Sequence, residues 1–182
     1  MPVLVLAAVL GVLGYHLMSS GPEDVVNPSE TSRNVGIDDG VVPDGTTVFD
    51  DSIPAVAKLD TDLLVAIRQA STDAGFAFGI NSGWRSSAYQ EQLLRDAIAR
   101  YGSEAEAARW VSTPDASAHV TGDAVDVGSY AAADWLSQHG AAYGLCQTYA
   151  NEAWHFELRP SARTRGCPQQ LADATDEPRT RR

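Results

Sequence analysis

Ser117-Ala118-His119-Val120-Thr121-Gly122-Asp123-Ala124-Val125-Asp126 decides how this chain is read. It places a histidine and an aspartate seven residues apart, with Gly122 between them to let a turn fold back. The segment then alternates, so that Val125 and Val127 point one way while Ala124 and Asp126 point the other. Downstream, Trp154-His155-Phe156-Glu157-Leu158 alternates too. There Trp154, Phe156 and Leu158 are assigned to the core and His155 and Glu157 to the opposite face. Two adjacent antiparallel strands of this parity bring Asp126 and His155 within reach of one ion, and His119 arrives from the turn just before. Two imidazoles and a carboxylate leave a fourth position open, which is the pattern of a catalytic rather than a structural zinc site.

Glu152 supplies a spare carboxylate three residues before His155. In a straight strand the two would face opposite sides, so the sequence requires a turn or bulge between them. With that turn in place, Glu152 can take a proton from water at the open position, where zinc lowers the pKa of water to ~7. A carboxylate base beside such a water is equipment for hydrolysing an amide. Arg85 follows the turn Ser82-Gly83 at the end of a neighbouring strand. Its guanidinium can stabilise a developing oxyanion or clamp a substrate carboxylate. Taken singly, Arg85 reads as a surface charge and Asp126 as part of a turn or ion pair, and His16 and His139 are read as structural. The clustering is what turns His119, Asp126 and His155 into a ligand set.

Outward from these motifs, Leu59, Leu63, Leu64, Ile67 and Ala70 recur at helical spacing, with Asp60 or Thr61 as N-cap and Gly75 as stop. Phe76 to Asn81 alternates as a strand with Phe76, Phe78 and Ile80 on one face. Ser86 or Ser87 caps a helix over Ala88 to Tyr101, burying Leu93, Leu94, Ala97 and Ile98. Shorter helices are expected over Ser103 to Trp110 and Ala131 to Gln138, and a loop with Pro114 between Ser112 and Ala118. Strands and helices do not alternate regularly, so the expectation is a small single α+β domain. Its antiparallel sheet carries the zinc site on one face, and helices pack on the other.

The chain has 182 residues and a formal net charge of -11. That length fits one domain with appendages, and the acidity argues against nucleic acid or an anionic membrane surface as partner. Residues 1–18 are apolar and read as an export signal retained as an anchor, with a buried helix as the alternative. Residues 19–45 read as a flexible linker, 46–160 as the catalytic domain, and 161–182 as a polar tail, disordered apart from a tether at Cys167. The two cysteines, Cys146 and Cys167, form a disulfide if the chain is exported, closing a loop worth ~3 kcal/mol. Two unpaired thiols are the other reading.

Three stretches carry a resemblance: Ser82-Gly83-Trp84-Arg85-Ser86, the pattern SxHxxGxAxD over Ser117 to Asp126, and Glu152-Ala153-Trp154-His155. Together they resemble the VanY-type D-alanyl-D-alanine metallocarboxypeptidases, within a broader group of zinc peptidases that cleave peptidoglycan. The similarity runs from about Val48 to Leu158. It implies that His119, Asp126 and His155 are zinc ligands, that Glu152 is the general base, and that Arg85 contacts substrate and the transition state. It also implies that Gln90 and Ser117 help hold the terminal D-amino acid. Trp84 stands where tyrosine is common, and Ala153 replaces a frequent proline, removing a fixed φ where the turn is needed.

The resulting expectation is a monomeric zinc D,D-carboxypeptidase with one metal ion. It acts on peptidoglycan stem peptides outside the cytoplasm and touches the membrane only through its N-terminal segment. L,D-carboxypeptidase or endopeptidase activity uses the same residues, with pocket depth deciding among them. A wall-binding module that keeps zinc for stability is the alternative of another class, disfavoured because such a module needs neither Glu152 nor Arg85.

Overall fold

The computed structural model describes residues 34–178. Its helices are α1 (Pro54–Ala57), α2 (Thr61–Ala74), α3 (Ser87–Tyr101), α4 (Glu104–Ala107), α5 (Ala118–Thr121), α6 (Tyr130–His139) and α7 (Ala162–Arg165). Its strands are β1 (Ile80–Ser82), β2 (Ala124–Val127), β3 (Leu145–Gln147) and β4 (His155–Leu158). They form one antiparallel sheet in the order β1-β2-β4-β3. The chain is thus a small α+β domain, as its irregular alternation of strands and helices implied.

The core lies between one face of this sheet and helices α2 and α6. Leu63, Ala66, Ile67 and Ala70 of α2 meet Leu136 of α6 and Val125, Val127, Leu145 and Phe156 of the sheet. Helix α2 begins where the Asp60 carboxylate accepts from the amides of Asp62 and Leu63, and it ends at left-handed Gly75. Such a cap is worth ~1 kcal/mol. Phe78 and Phe156 are fully buried, and truncating either to alanine costs roughly 3–5 kcal/mol.

Register sets up the opposite face. Asp126 pairs directly with His155 across β2 and β4, as the strand parity required. Between β1 and β2 the register slips: Ile80 pairs with Val127 but Ser82 with Asp126. The extra residue is a bulge, which re-aims side chains, and here it sets Ser82 opposite Asp126.

Several expectations are corrected. The strand placed over Phe76 to Asn81 begins only at Ile80, and Phe76 is exposed at the rim while Phe78 and Ile80 are buried. Of the apolar residues assigned to the core face of α3, only Ala97 is buried, and Gln90 is the other buried side chain. Trp154 is 41% exposed rather than in the core, because β4 starts one residue later and Trp154 still belongs to the turn. Strand β3 and helix α1 were not anticipated; each is too short to show a period.

The limits of order also differ from the sequence reading. Residues 34–45, placed in a linker, include a 3-10 helix over Ile37–Asp39. It is pinned by Ser86, whose amide donates to the Asp39 carbonyl and whose hydroxyl donates to its carboxylate, both at 2.8 Å. Residues 161–178, placed in a disordered tail, contain α7, a 3-10 helix over Ala174–Asp176 and Cys167, which is bonded to Cys146. Hydrogen bonds and a covalent tether hold these polar segments, so no apolar period announces them. Among the described residues no helix is long and apolar enough to cross a membrane. The anchor expected over residues 1–18 lies outside the described residues.

Candidate metal centre

The loop after β1 is stitched in place by its backbone. Trp84 N donates to the Ala55 carbonyl (2.9 Å) and Arg85 N to the His119 carbonyl (3.0 Å). Gly83 is required here, because a Cβ would stand 2.1 Å from the Ala55 oxygen. The Gly83 carbonyl is left facing His119 Nδ1 at 2.8 Å. His119 sits on α5, a single helical turn rather than the irregular turn expected. That turn closes at Gly122, whose φ of 83° suits glycine.

His119, Asp126 and His155 are all buried, and one donor atom from each lies within 4.8 Å of the others. His119 Nε2 is 3.3 Å from His155 Nδ1 and 3.4 Å from Asp126 Oδ1, and His155 Nδ1 is 3.0 Å from the same oxygen. The outer nitrogens fix the tautomers. His119 Nδ1 faces a carbonyl and His155 Nε2 faces the Glu157 carboxylate at 3.2 Å, so both must carry hydrogen. The inner nitrogens of the neutral rings are then bare lone pairs, converging with a carboxylate oxygen. Three acceptors at this separation repel one another unless a cation lies between them.

The spacing suits zinc. Ligand bonds of ~2.0–2.1 Å in a tetrahedron give edges of about 3.3 Å, and the three observed separations lie close to that value. The metal-free cluster responds with strongly altered acidities. Burial would raise the Asp126 carboxyl, but His119 and His155 outweigh it and hold it well below the usual range. Burial pushes the His119 imidazole down, reinforced by the charge of Arg85. Burial would lower His155 as well, but hydrogen bonds to Asp126 and Glu157 carry it up to about 9.

Glu152 reaches the same cavity. The turn that the sequence demanded is present despite Ala153: Glu152 N donates to the Tyr149 carbonyl and His155 N to the Glu152 carbonyl. This sets Glu152 Oε2 3.7 Å from His155 Nδ1. Burial, partly offset by the charge of His155, pushes its carboxyl up to about 7.

Arg85 faces the centre from the loop after β1. Its Nη2 donates to Asp126 Oδ2 (3.1 Å), its Nε to Ser82 Oγ (2.7 Å) and its Nη1 to Gln90 Oε1 (3.1 Å). Gln90 also donates to the Ser112 carbonyl (2.9 Å). Gln90 therefore lines the cavity with both ends of its amide engaged, and it locks the guanidinium in place. Ser117 lines the cavity too, and its hydroxyl does not cap α5. All seven residues expected at the site thus line one cavity of ≈ 430 Å³, with Trp110, Tyr149 and Trp154 among its walls. That volume is of the size that takes a small ligand.

One participant was missed. Glu157, 1% exposed, bridges His155 Nε2 and Arg159 Nη2 (2.9 Å). A carboxylate behind a ligating histidine fixes its orientation and tautomer. The signal was available, since strand parity had already placed Glu157 on the face of His155.

Comparison with known proteins follows the same lines. A search of curated proteins finds no match to the sequence. Among solved structures, a mutant of the vancomycin-resistance D,D-pentapeptidase VanY in complex with Zn(II) matches at 22% identity and a TM-score of 0.50, covering 55% of this chain and 72% of that one. The LD-carboxypeptidase LdcB matches at 23% identity and 0.54, covering 71% and 72%. VanYB in complex with D-alanine-D-alanine matches at 22% and 0.50, covering 55% and 71%. At these identities the likeness is one of fold. The profile of the VanY family, described as D-alanyl-D-alanine carboxypeptidase, matches residues 56–161, more than half of the chain and every one of the converging side chains, and on that match the chain belongs to the VanY family.

Proposed function

We propose that this family carboxypeptidase is a zinc-dependent D,D-carboxypeptidase that removes the terminal D-alanine from peptidoglycan stem peptides outside the cytoplasm. The observation that carries the metal assignment is the convergence of two inward-facing imidazole nitrogens and one carboxylate oxygen at 3.0–3.4 Å. His119 Nε2, Asp126 Oδ1 and His155 Nδ1 would hold the ion, with Gly83 and Glu157 fixing the rings from behind. When bound, zinc supplies Lewis acidity toward the scissile carbonyl and toward water.

The chain's own residues do the rest. Glu152 takes a proton from the water whose oxygen attacks the scissile carbonyl carbon. It returns a proton to the leaving nitrogen as the C–N bond breaks, giving a shortened peptide carboxylate and free D-alanine. Arg85, held on three sides by Ser82, Gln90 and Asp126, offers a fixed positive charge to the oxygen that becomes anionic. Ser117, which lines the same cavity, would donate a hydrogen bond to the terminal residue.

The D,D assignment rests on the family and on the resemblance to VanY, while LdcB supports an L,D alternative with the same machinery. Incubating the zinc-loaded domain separately with stem pentapeptide and stem tetrapeptide, and weighing the products, tests the proposal. Loss of one D-alanine from the pentapeptide alone is the expected result. Trimming of the tetrapeptide would move the enzyme to the L,D class. No cleavage of either by zinc-loaded protein would overturn the proposal.

A further inference from the structure

The family match ends at residue 161, yet the described chain runs on and returns to the cavity. After α7, Cys167 is bonded to Cys146 of edge strand β3. Leu171 then pairs in parallel with Tyr149: Leu171 N donates to the Thr148 carbonyl (2.9 Å) and Ala150 N to the Leu171 carbonyl (2.8 Å). Asp173, 6% exposed, caps the 3-10 helix over Ala174–Asp176 with one carboxylate oxygen. Its other oxygen accepts from Arg109 Nε at 2.8 Å. Arg109 is itself tied to the turn that carries Glu152, because Asn151 Nδ2 donates to the Arg109 carbonyl (3.0 Å).

This returning segment stands where two cavities meet. Ala174 lines the catalytic cavity. Thr175 lines a second cavity of ≈ 490 Å³ with Leu94, Ile98 and Ala108. Val111 and Ser112 line both. A carboxypeptidase needs room for one residue beyond the scissile bond, and on the proposed reading that residue lies toward Arg85 and Ser117, which line the cavity. The remainder of the peptide must leave by another side, and the second cavity adjoins the first at Val111 and Ser112.

We propose that residues 167–178 form a strap that walls the path taken by the N-terminal part of a peptide substrate, making the strap a specificity element. This rests on the carboxypeptidase reading. The Cys146–Cys167 bond anchors one end and the Asp173–Arg109 pair the other. Immediately after Asp173, Ala174 lines the catalytic cavity and Thr175 the second one. A substrate long enough to pass the strap gains contact with it; one that ends at the scissile dipeptide does not.

The test compares zinc-loaded wild type with Arg109→Met and with the double variant Cys146→Ser/Cys167→Ser. Peptide binding is read by fluorescence of the cavity tryptophans Trp110 and Trp154, alongside turnover. The two probes are stem pentapeptide and N-acetyl-D-Ala-D-Ala. The expected result is that both variants keep wild-type zinc content and wild-type affinity for the short probe, while Kd and KM for the pentapeptide rise about tenfold, or ~1.4 kcal/mol. Should the cysteine variant fail to fold, Arg109→Met still decides. Equal weakening for both probes would reduce the strap to a structural brace and overturn the inference, as would unchanged affinity for the pentapeptide. Wild type that binds the pentapeptide without cleaving it would overturn the carboxypeptidase reading alone, and wild type that binds neither probe would overturn both.

Discussion

Glu152 is a carboxyl placed where, without metal, it is better protonated, and this has a measurable consequence for stability. Its folded-state pKa of about 7 lies above its ordinary value of 4.5 because it is buried, so the folded protein holds the proton more tightly than the unfolded chain. Below pH 4.5 the group is neutral in both states. As pH rises from 4.5 to 7 its ionisation works progressively against folding, and above 7 the full penalty is present. The gap between the two values corresponds to roughly 3 kcal/mol. Glu152→Gln cannot ionise, but its buried amide needs hydrogen-bond partners of its own, which brings the expected gain down to about 2 kcal/mol. Chelator-treated Glu152→Gln should therefore melt about 4–8 °C above chelator-treated wild type at pH 8. Near pH 4.5 the difference should reverse, because the ionisation penalty is gone and only the amide's cost of about 1 kcal/mol remains. Added zinc should shrink it at pH 8, since the metal's charge favours the carboxylate. Thermal melts of both proteins from pH 4.5 to 8, with and without chelator, give the answer. Parallel curves across that range without metal would refute the buried, proton-favouring environment assigned to Glu152.

Two further outcomes follow from the metal-free cluster. His155 holds a proton up to about 9 through Asp126 and Glu157, and zinc must displace it. Apparent zinc affinity, read by competition with a chromophoric chelator, should rise about tenfold per pH unit from pH 7 toward 9; a flat profile would show that His155 Nδ1 is not a ligand. Glu157→Ala should weaken zinc by about 10–100-fold in the same assay through loss of the His155 brace. Glu157→Gln, which keeps an acceptor for His155 Nε2, should lose less. Equal losses from both variants would mean that charge rather than orientation is what Glu157 supplies.

Much of the site was legible because strand parity carries through the sheet. The alternation in Ala124–Val127 and His155–Leu158 placed Asp126 and His155 on one face, and the register pairs them directly. The spacing of Glu152 to His155 demanded a turn, and the turn exists even with Ala153 in place of proline. Trp154 was misplaced for the same reason Glu152 was placed well: the turn extends one residue further than the alternation suggests. Gln90 was read as a substrate contact from its position in the motif; its two hydrogen bonds go to Arg85, close by in sequence, and to Ser112, which only the fold brings near. The tail escaped because nothing apolar repeats in it. Leu171 and Asp173 are single anchors whose partners, Tyr149 and Arg109, only the folded chain brings near, whereas the Cys146–Cys167 bond was expected from the sequence.

The account turns on a metal held by three side chains and a base that is not one of them. Zinc content and peptide turnover measured on one sample of Glu152→Gln test this most directly. The account predicts one zinc per chain, as in wild type, with turnover reduced by about 10²–10⁴-fold. Turnover at the wild-type rate, or loss of the zinc along with the carboxylate, would contradict it.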